Sequence, residues 1–210
     1  MMASGLSMHS NVIEAAQGFF LENDLMKKEY SVILDKKTIS SSIIRLAHEI
    51  YERNKNLDNL VLIGIQTRGM PLSKRIQMEL FKISNIEVPI GSLDITFYRD
   101  DFRERLLVPQ VHGTDILFSL DDKVVVLVDD VLFTGRTIRA AIDSLNAFGR
   151  ASAIQLAVLV DRGHREMPIR ADYVGKNIPT NDGEHIAVRL EETDKKDAVI
   201  IIKHDQLDKS

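Results

Sequence analysis

The chain has 210 residues, enough for one large domain or two small ones, and its 44% apolar and 28% charged residues exclude disorder over the whole length. Cysteine is absent, which excludes disulfides, thiolate metal sites and a cysteine nucleophile and agrees with a cytoplasmic location. The net charge of −4 excludes a protein whose main task is to coat nucleic acid.

The N-terminal segment differs in pattern from the rest of the chain. Residues 1–11 are small and polar, and residues 12–26 favour either a short helix or disorder. The first 25 residues contain no Lys or Arg, and no apolar run of the sequence approaches the roughly 20 residues of a membrane-spanning helix. We therefore expect an extension over residues 1–28, a domain over residues 29–205, a tail over residues 206–210 and no membrane partner.

From residue 30 onward, short apolar segments alternate with helical patterns. Helices are predicted from a serine cap at Ser40, Ser41 or Ser42 to Arg53, over residues 70–81 and over residues 137–148. The predicted strands are residues 31–34, 60–65, 90–97, 124–128, 154–160, 173–174, 185–190 and 198–202. This order predicts an α/β fold with a mostly parallel twisted sheet flanked by helices. Residues 100–122 form a long polar connection, which is typical of a mobile functional loop or a spacer.

The strongest chemical signal follows the most apolar strand. Two adjacent carboxylates, Asp129 and Asp130, suit ribose hydroxyls or a magnesium-bound polyphosphate. The following turn supplies hydroxyls, backbone N–H groups and a helix N-terminus, which together form an anion cradle. The alternative interpretation of this short pattern is an acidic strand end followed by an ordinary capped helix.

Residues 124–140 as a whole resemble the signature with which type I phosphoribosyltransferases bind phosphoribosyl pyrophosphate (PRPP). The resemblance implies the fold of that family, with a flexible hood loop over the substrate, and Mg²⁺ held mainly through PRPP rather than by direct protein ligands. It also implies that Asp129 and Asp130 hold the ribose hydroxyls. The 5-phosphate would lie against the cradle of Thr134, Gly135, Arg136 and Thr137.

Two further segments match the same family. Thr67, Arg68 and Gly69 follow the strand over residues 60–65, where the family binds pyrophosphate, although such a turn alone is more often a plain connection. Gln66 stands where a lysine is frequent, which predicts weaker pyrophosphate affinity. Residues 94–101 resemble the start of the hood, which makes Arg99 a catalytic candidate together with Asp129, Asp130 and Arg68. The nearby Arg103 and Arg105 are more readily explained as solvated charges.

Residues 159–180 resemble one branch of the family, the bifunctional pyrimidine-operon attenuation regulators with uracil phosphoribosyltransferase activity, and the similarity extends over residues 30–202. Phe133 replaces the aspartate that purine relatives carry before the Thr-Gly pair, which favours uracil over hypoxanthine or guanine. The implied uracil pocket consists of Asp161, Arg162, Gly163, Tyr173 and Val174. A purine phosphoribosyltransferase is the alternative.

The resemblance also implies an RNA-binding regulator whose affinity for the leader of a pyrimidine-gene mRNA rises with UMP or UTP, and a homodimer or higher homo-oligomer. The candidate RNA contacts are basic residues of the first helix and of the segment after residue 160, namely Arg45, His48, Arg53, Arg165, Arg170 and Lys176. The alternatives are a solvated helix of mixed charge and a salvage enzyme without RNA binding.

Overall fold

The computed structural model describes residues 30–95, 113–181 and 183–203. The predicted N-terminal extension and the tail lie outside the described residues. So does most of the predicted hood loop, with Arg99, Arg103 and Arg105.

The described residues alternate between strands and helices from the start. In chain order the elements are β1 (Tyr30–Asp35), α1 (Lys36–Arg53), β2 (Leu60–Ile65), α2 (Gly69–Ser84), β3 (Ile90–Leu93), β4 (Val124–Leu132), α3 (Arg136–Leu145), β5 (Ala153–Asp161), β6 (Tyr173–Asn177), β7 (Glu184–Arg189), α4 (Glu191–Asp194) and β8 (Ala198–Lys203). Five strands form a parallel sheet in the order β3-β2-β4-β5-β6. The predicted α/β class and parallel sheet are confirmed.

The core lies on both faces of this sheet, because β2 is buried throughout and β4 is buried along most of its length. Val126 and Val128 of β4 belong to an apolar cluster shared with α1 and α2. Val125 and Leu127 point to the opposite face and belong to the cluster that includes α3. This alternation is the two-residue period of a strand that is covered by helices on both sides.

Helix α1 begins earlier than the serine pattern predicts. Its N-cap is Asp35, whose side chain accepts a hydrogen bond from the backbone N–H of Thr38 at 2.8 Å. Ser42 lies inside the helix, and its hydroxyl donates to the carbonyl oxygen of Thr38 at 2.9 Å. The N-cap is therefore Asp35, three residues before Thr38, and not Ser40, Ser41 or Ser42 as the sequence predicts. The predicted apolar face is confirmed, with Ile43 and Ile50 buried.

The other element bounds differ from the predicted ones by a few residues. Strand β3 ends at Leu93 rather than at residue 97, and α2 extends to Ser84. Helix α3 ends at Leu145 and continues as a single 3-10 turn over Asn146–Phe148. Apolar periodicity identifies each element, but hydrogen-bonding partners decide where it ends.

A second sheet contains the remaining three strands in the antiparallel order β1-β8-β7. The sequence predicts these strands but not their separation from the parallel sheet. Arg75 of α2 links the two parts through hydrogen bonds to Asp197 at 2.7 and 3.0 Å and to Glu192 at 2.6 and 2.8 Å. This link fixes α4 beside the carboxyl ends of the parallel strands.

Candidate active site

The turns after β2, β4 and β5 meet at one edge of the parallel sheet. In the register of the sheet, Leu132 near the end of β4 pairs with Asp161 at the end of β5. The strands run parallel, so the segments that follow them gather on the same side. This edge contains most of the residues that the sequence predicts to be functional.

The two predicted ribose-binding carboxylates lie at the end of β4. Asp129 is 7% exposed, and its carboxylate accepts a hydrogen bond from the backbone N–H of Asp130 at 2.9 Å. Desolvation raises the pKa of Asp130, although the charge of Arg68 and a hydrogen bond with Asp129 act in the opposite direction. The raised pKa means that the nearby charge and hydrogen bonds do not fully offset the desolvation of the Asp130 carboxylate. A ligand with hydroxyl donors, or a bound cation, would therefore stabilise the ionised form.

The predicted phosphate cradle begins α3. Gly135 is the N-cap with φ of 91°, a left-handed conformation that favours glycine, and a Cβ there would lie 3.0 Å from Cβ of Met167. Because Gly135 has no side chain, it places no capping oxygen at the helix N-terminus. The carbonyl oxygen of Thr134 accepts hydrogen bonds from the backbone N–H groups of Glu166 and Met167 at 3.0 and 2.9 Å, which fixes the turn. A helix N-terminus in this setting attracts anions.

The predicted pyrophosphate turn lies directly against β4. A Cβ on Gly69 would lie 2.3 Å from the carbonyl oxygen of Val128, the residue before Asp129, so only glycine permits this approach. The side-chain amide of Gln66 donates to the carbonyl oxygen of Gly113, which joins the turn to the start of the second described segment. The peptide bond between Gln66 and Thr67 is cis, which the sequence pattern does not signal.

Arg68 has a partner that the sequence does not predict. Its Nε and Nη2 atoms donate to the carboxylate of Asp194 in α4 at 3.1 and 2.8 Å. These hydrogen bonds raise the pKa of Arg68, and the charge of Asp130 adds to the same effect. Arg68 therefore lies in the electrostatic field of two carboxylates, Asp130 of β4 and Asp194 of α4.

Part of the predicted uracil pocket lies at the same edge. The carboxylate of Asp161 accepts a hydrogen bond from the backbone N–H of Gly163 at 2.9 Å. Arg162 is 8% exposed and lies over the ring of Phe133, with 3.8 Å between its Cζ atom and the ring centroid. Its Nε and Nη2 atoms donate to the Thr180 hydroxyl at 3.1 Å and to the Glu184 carbonyl oxygen at 3.0 Å. Desolvation lowers the pKa of Arg162.

The structure places Tyr173 and Val174 at the start of β6, away from this edge and from the other residues predicted for the uracil pocket. Tyr173 pairs with Ala157 in the sheet register, whereas Asp161 pairs with Asn177, four residues further along β6. The hydroxyl of Tyr173 is buried and donates to Gln155 at 2.7 Å. Beyond the carboxyl end of β6, Thr180 and the first residue of β7, Glu184, lie beside Arg162.

Three of the six candidate RNA-binding side chains have partners within the chain. Arg45 forms an ion pair with Glu49 and donates to the carbonyl oxygens of Val174 and Gly175, and Arg53 donates to Asp172 at 2.6 Å. Arg165 instead lies at the carboxyl edge, where it donates to Asp161 and to the carbonyl oxygens of Phe133 and Ile169. The other three candidates, His48, Arg170 and Lys176, are exposed.

Within the part of the chain that the structure describes, no group of three or more His, Asp or Glu side chains could hold a metal ion. No helix among these residues has the length and apolar character needed to cross a membrane.

Comparisons with known proteins agree with this geometry. A model of the phosphoribosyl transferase domain matches residues 29–193. The bifunctional protein PyrR of Pelotomaculum thermopropionicum is 53% identical over 178 residues, which cover 85% of this chain and 98% of that protein. The chain belongs to the PyrR branch of the phosphoribosyltransferase family.

Other PyrR relatives show the same level of similarity. The bifunctional protein PyrR of Clostridioides difficile is 54% identical over 82% of this chain and 98% of its own length. That of Oceanobacillus iheyensis is 56% identical over 83% of this chain and 97% of its own.

Solved structures of the wider family share the fold. The hypoxanthine phosphoribosyltransferase of Trypanosoma cruzi superposes with a TM-score of 0.62 at 20% identity, covering 82% of this chain and 96% of that one. The enzyme of the same name from Staphylococcus aureus gives a TM-score of 0.61 at 19% identity, covering 84% and 93%. The type I phosphoribosyltransferase fold predicted from the sequence is confirmed.

Proposed function

We propose that this PyrR-family chain transfers the phosphoribosyl group of PRPP to uracil, giving UMP and pyrophosphate, and also acts as a UMP- or UTP-dependent RNA-binding attenuator of pyrimidine biosynthetic genes. The proposed catalytic activity is supported mainly by the arrangement of residues near the end of β4. There Asp129 and Asp130 precede the phosphate cradle, and Gly69 brings the Arg68 turn against the same strand.

The arrangement supports a transfer that needs no covalent nucleophile. Asp129 and Asp130 would hold the ribose hydroxyls, while the residues from Thr134 to Thr137 would hold the 5-phosphate. As the bond to pyrophosphate breaks, positive charge develops at the anomeric carbon and the uracil nitrogen attacks it. Catalysis in such a site comes mainly from positioning and charge stabilisation.

The leaving pyrophosphate would be received by the turn of Thr67, Arg68 and Gly69, and Arg99 from outside the described residues would be a further cation. Phosphoribosyltransferases of this fold use Mg²⁺ with PRPP, and when bound it makes pyrophosphate a better leaving group. The adjacent carboxylates of Asp129 and Asp130 are oxygen donors of the kind that Mg²⁺ prefers and would stabilise the metal–PRPP complex.

A pyrimidine substrate is supported by Phe133, which cannot exchange a proton with a purine ring. Phe133 is 38% exposed between the cradle and the turn of residues 161–163, whose backbone groups could recognise the edge of uracil. Purine transfer is the alternative. The hypoxanthine enzymes above do not favour it, because at about 20% identity they share only the fold.

Replacing Asp130 tests the site. We expect Asp130→Asn to lower kcat/KM for UMP formation by about 100-fold or more, because a carboxylate that stabilises developing charge is lost. The matched control is Asp143→Asn on the exposed side of α3, where Asp143 pairs with Arg139 at 3.8 Å. Activity of Asp130→Asn near that of the control would contradict the assignment.

RNA binding is supported by the exposed His48, Arg170 and Lys176, and Arg45 and Arg53 connect α1 to the segment around β6. Filter binding to the chain's own operon leader should show tighter binding with UMP and weaker binding with added salt. We expect the double variant His48→Ala and Lys176→Ala to bind at least about fivefold more weakly than Lys82→Ala on α2. Affinity no higher than for unrelated RNA would leave a salvage enzyme without RNA binding.

A protein with these partners would work in the cytoplasm and, as its family resemblance implies, as a homodimer or higher homo-oligomer. Light scattering of the purified protein measures that assembly directly.

A further inference from the structure

We propose that Asp194 is a positioning residue for Arg68: it holds the guanidinium by one edge and leaves the other edge for pyrophosphate. The inference rests on the proposed function, in which Arg68 receives pyrophosphate. Asp194 belongs to α4, a four-residue helix between two strands of the three-stranded sheet, and the inference gives this helix a role at the proposed active site.

The geometry of the ion pair is side-on. Nε of Arg68 donates to one carboxylate oxygen of Asp194 at 3.1 Å, and Nη2 donates to the other at 2.8 Å. A guanidinium has five N–H groups, and this fork uses two of them. The Nη1 group and the second hydrogen of Nη2 form another parallel pair of donors, and within the described residues Nη1 has no hydrogen-bond acceptor. Such a pair matches the two oxygens of a phosphate.

Asp194 is itself held in place. One of its oxygens also accepts hydrogen bonds from the backbone N–H of Leu190 at 3.0 Å and from the Thr193 hydroxyl at 2.6 Å. Desolvation raises the pKa of Asp194, but the hydrogen bonds from Arg68 and Thr193 outweigh it and the net pKa is lowered. These hydrogen bonds favour the ionised carboxylate and hold it in place beside Arg68.

The rest of α4 is anchored independently of Arg68. Glu192, two residues before Asp194, forms a two-bond pair with Arg75 of α2 at 2.6 and 2.8 Å. Arg75 also binds Asp197, whose carboxylate accepts a hydrogen bond from the backbone N–H of Glu191 at 2.8 Å. Because α4 is held by Arg75 and Asp197, the position of Asp194 does not depend on Arg68.

A support is needed because Arg68 has a competing anion nearby. The turn of Arg68 lies against β4 at Val128, two residues before the proposed ribose ligand Asp130, and the charge of Asp130 acts on Arg68. Without Asp194, the guanidinium would be drawn towards Asp130, where it would obstruct the ribose site and turn its donors away from pyrophosphate. Asp194 thus separates the proposed pyrophosphate and ribose sites.

Kinetics of Asp194→Asn test this role. We expect KM for PRPP and Kd for pyrophosphate to rise about tenfold or more, with a change of less than about twofold in Kd for UMP, which carries no pyrophosphate. The matched control is Glu191→Gln, which alters the same helix at an exposed side chain that lies 3.8 Å from Lys36 and contacts neither Arg68 nor Arg75. It should leave both PRPP and pyrophosphate binding within about twofold of the wild type.

A double-mutant cycle separates action through Arg68 from a general structural effect. In an Arg68→Gln background, Asp194→Asn should weaken pyrophosphate binding by less than about twofold, because the residue through which it acts is gone. If Asp194→Asn does not fold, Asp194→Glu provides the second variant. Glutamate keeps the charge but displaces the carboxylate that binds Arg68 by one methylene. This variant should raise Kd for pyrophosphate and leave Kd for UMP unchanged.

Three results would overturn the inference: unchanged pyrophosphate affinity in both Asp194 variants, tighter pyrophosphate binding after removal of the carboxylate, or full additivity with Arg68→Gln. Failure of the proposed function has a different signature. In that case the wild-type protein itself forms no UMP from uracil and PRPP and binds no pyrophosphate.

Discussion

Phe133 occupies the position before Thr134 and Gly135 at which purine phosphoribosyltransferases carry an aspartate, and the structure shows what the aromatic ring does there. One face of the ring packs on the guanidinium of Arg162, and its edge approaches the ring of His164 with 6.1 Å between centroids. Arg162 is in turn held by Thr180 and by the carbonyl oxygen of residue 184. Phe133 is therefore a fixed wall of the proposed base pocket rather than a mobile surface side chain.

Substituting this wall should change base specificity. We expect Phe133→Asp to lower kcat/KM for uracil by about tenfold or more and to give measurable turnover of hypoxanthine, because a carboxyl group can exchange a proton with the purine ring. Phe133→Leu, which removes the ring without adding an acid, should remain specific for uracil. If Phe133→Asp is folded but uses hypoxanthine no faster than the wild type, Phe133 does not determine specificity.

The ionisation of Asp130 is also open to measurement at the residue scale. Desolvation raises the pKa of Asp130 above 3.8, and the charge of Arg68 partly opposes this shift. Because the folded state then binds the proton more tightly than the unfolded state, the contribution of this group to stability is present below pH 3.8 and is lost as the pH rises through the folded-state pKa.

Carbon-13 NMR of the carboxyl groups in the ligand-free protein measures this pKa. We expect a value above 3.8 in the wild type and a higher value in Arg68→Gln, where the opposing charge is gone. An Asp130 pKa that does not respond to Arg68→Gln would show that the two groups do not interact.

At the scale of elements, Arg75 is the main polar link between α2 and the segment of α4 and β8. The side chain of Asp197 is 3% exposed and that of Arg75 is 15% exposed, so this ion pair is largely withdrawn from water. Desolvation raises the pKa of Asp197, yet the hydrogen bonds from Arg75 and from the backbone N–H of Glu191 dominate, and the net pKa is lowered. Removing one partner from such a pair leaves an uncompensated charge.

Arg75→Met should therefore reduce the free energy of unfolding by about 3 kcal/mol. Urea denaturation measures this, and Lys82→Met is the control, because Lys82 pairs with Glu79 on the exposed side of the same helix and should cost about 0.5 kcal/mol or less. Equal losses in the two variants would show that the Arg75 link does not stabilise the fold.

The same link predicts how stability depends on pH. The folded-state pKa values of Glu192 and Asp197 are below their ordinary values of 4.5 and 3.8, so their contribution is present above that range and is lost as the pH falls through it. We expect the free energy of unfolding to fall steeply below about pH 4.5 in the wild type and less steeply in Arg75→Met. Identical slopes would contradict the assignment of these shifts to Arg75.

Helices, strands and turns that depend on neighbouring residues could be predicted from the sequence. Contacts between residues far apart in the chain could not. The cradle after β4 was predictable because its strand, acidic pair, glycine turn and helix are contiguous. The Arg68–Asp194 pair joins residues 126 positions apart, and no local pattern signals it. The position of Tyr173 away from the carboxyl edge could not be predicted, because an aromatic residue at a strand start looks the same as one at a strand end until the register of the sheet is known.

At the scale of the whole molecule, residues from the parallel sheet and from the part with the small sheet come together at the carboxyl edge of the parallel sheet. The parallel sheet supplies the carboxylates, the phosphate cradle and Arg68, and the part with the small sheet supplies Asp194 and the carbonyl oxygen that holds Arg162. The net charge of −4 excludes a general polyanion binder but is compatible with a local basic surface. The ion pairs of Arg45 and Arg53 predict that such a surface is smaller than the sequence alone suggests.

The most direct test of this account is the rate of nucleotide formation by the purified wild-type protein with PRPP, Mg²⁺ and each of uracil, hypoxanthine and guanine. We expect UMP formation with a kcat/KM at least about 100-fold above that for either purine. Faster formation of a purine nucleotide, or no UMP from uracil, would contradict it.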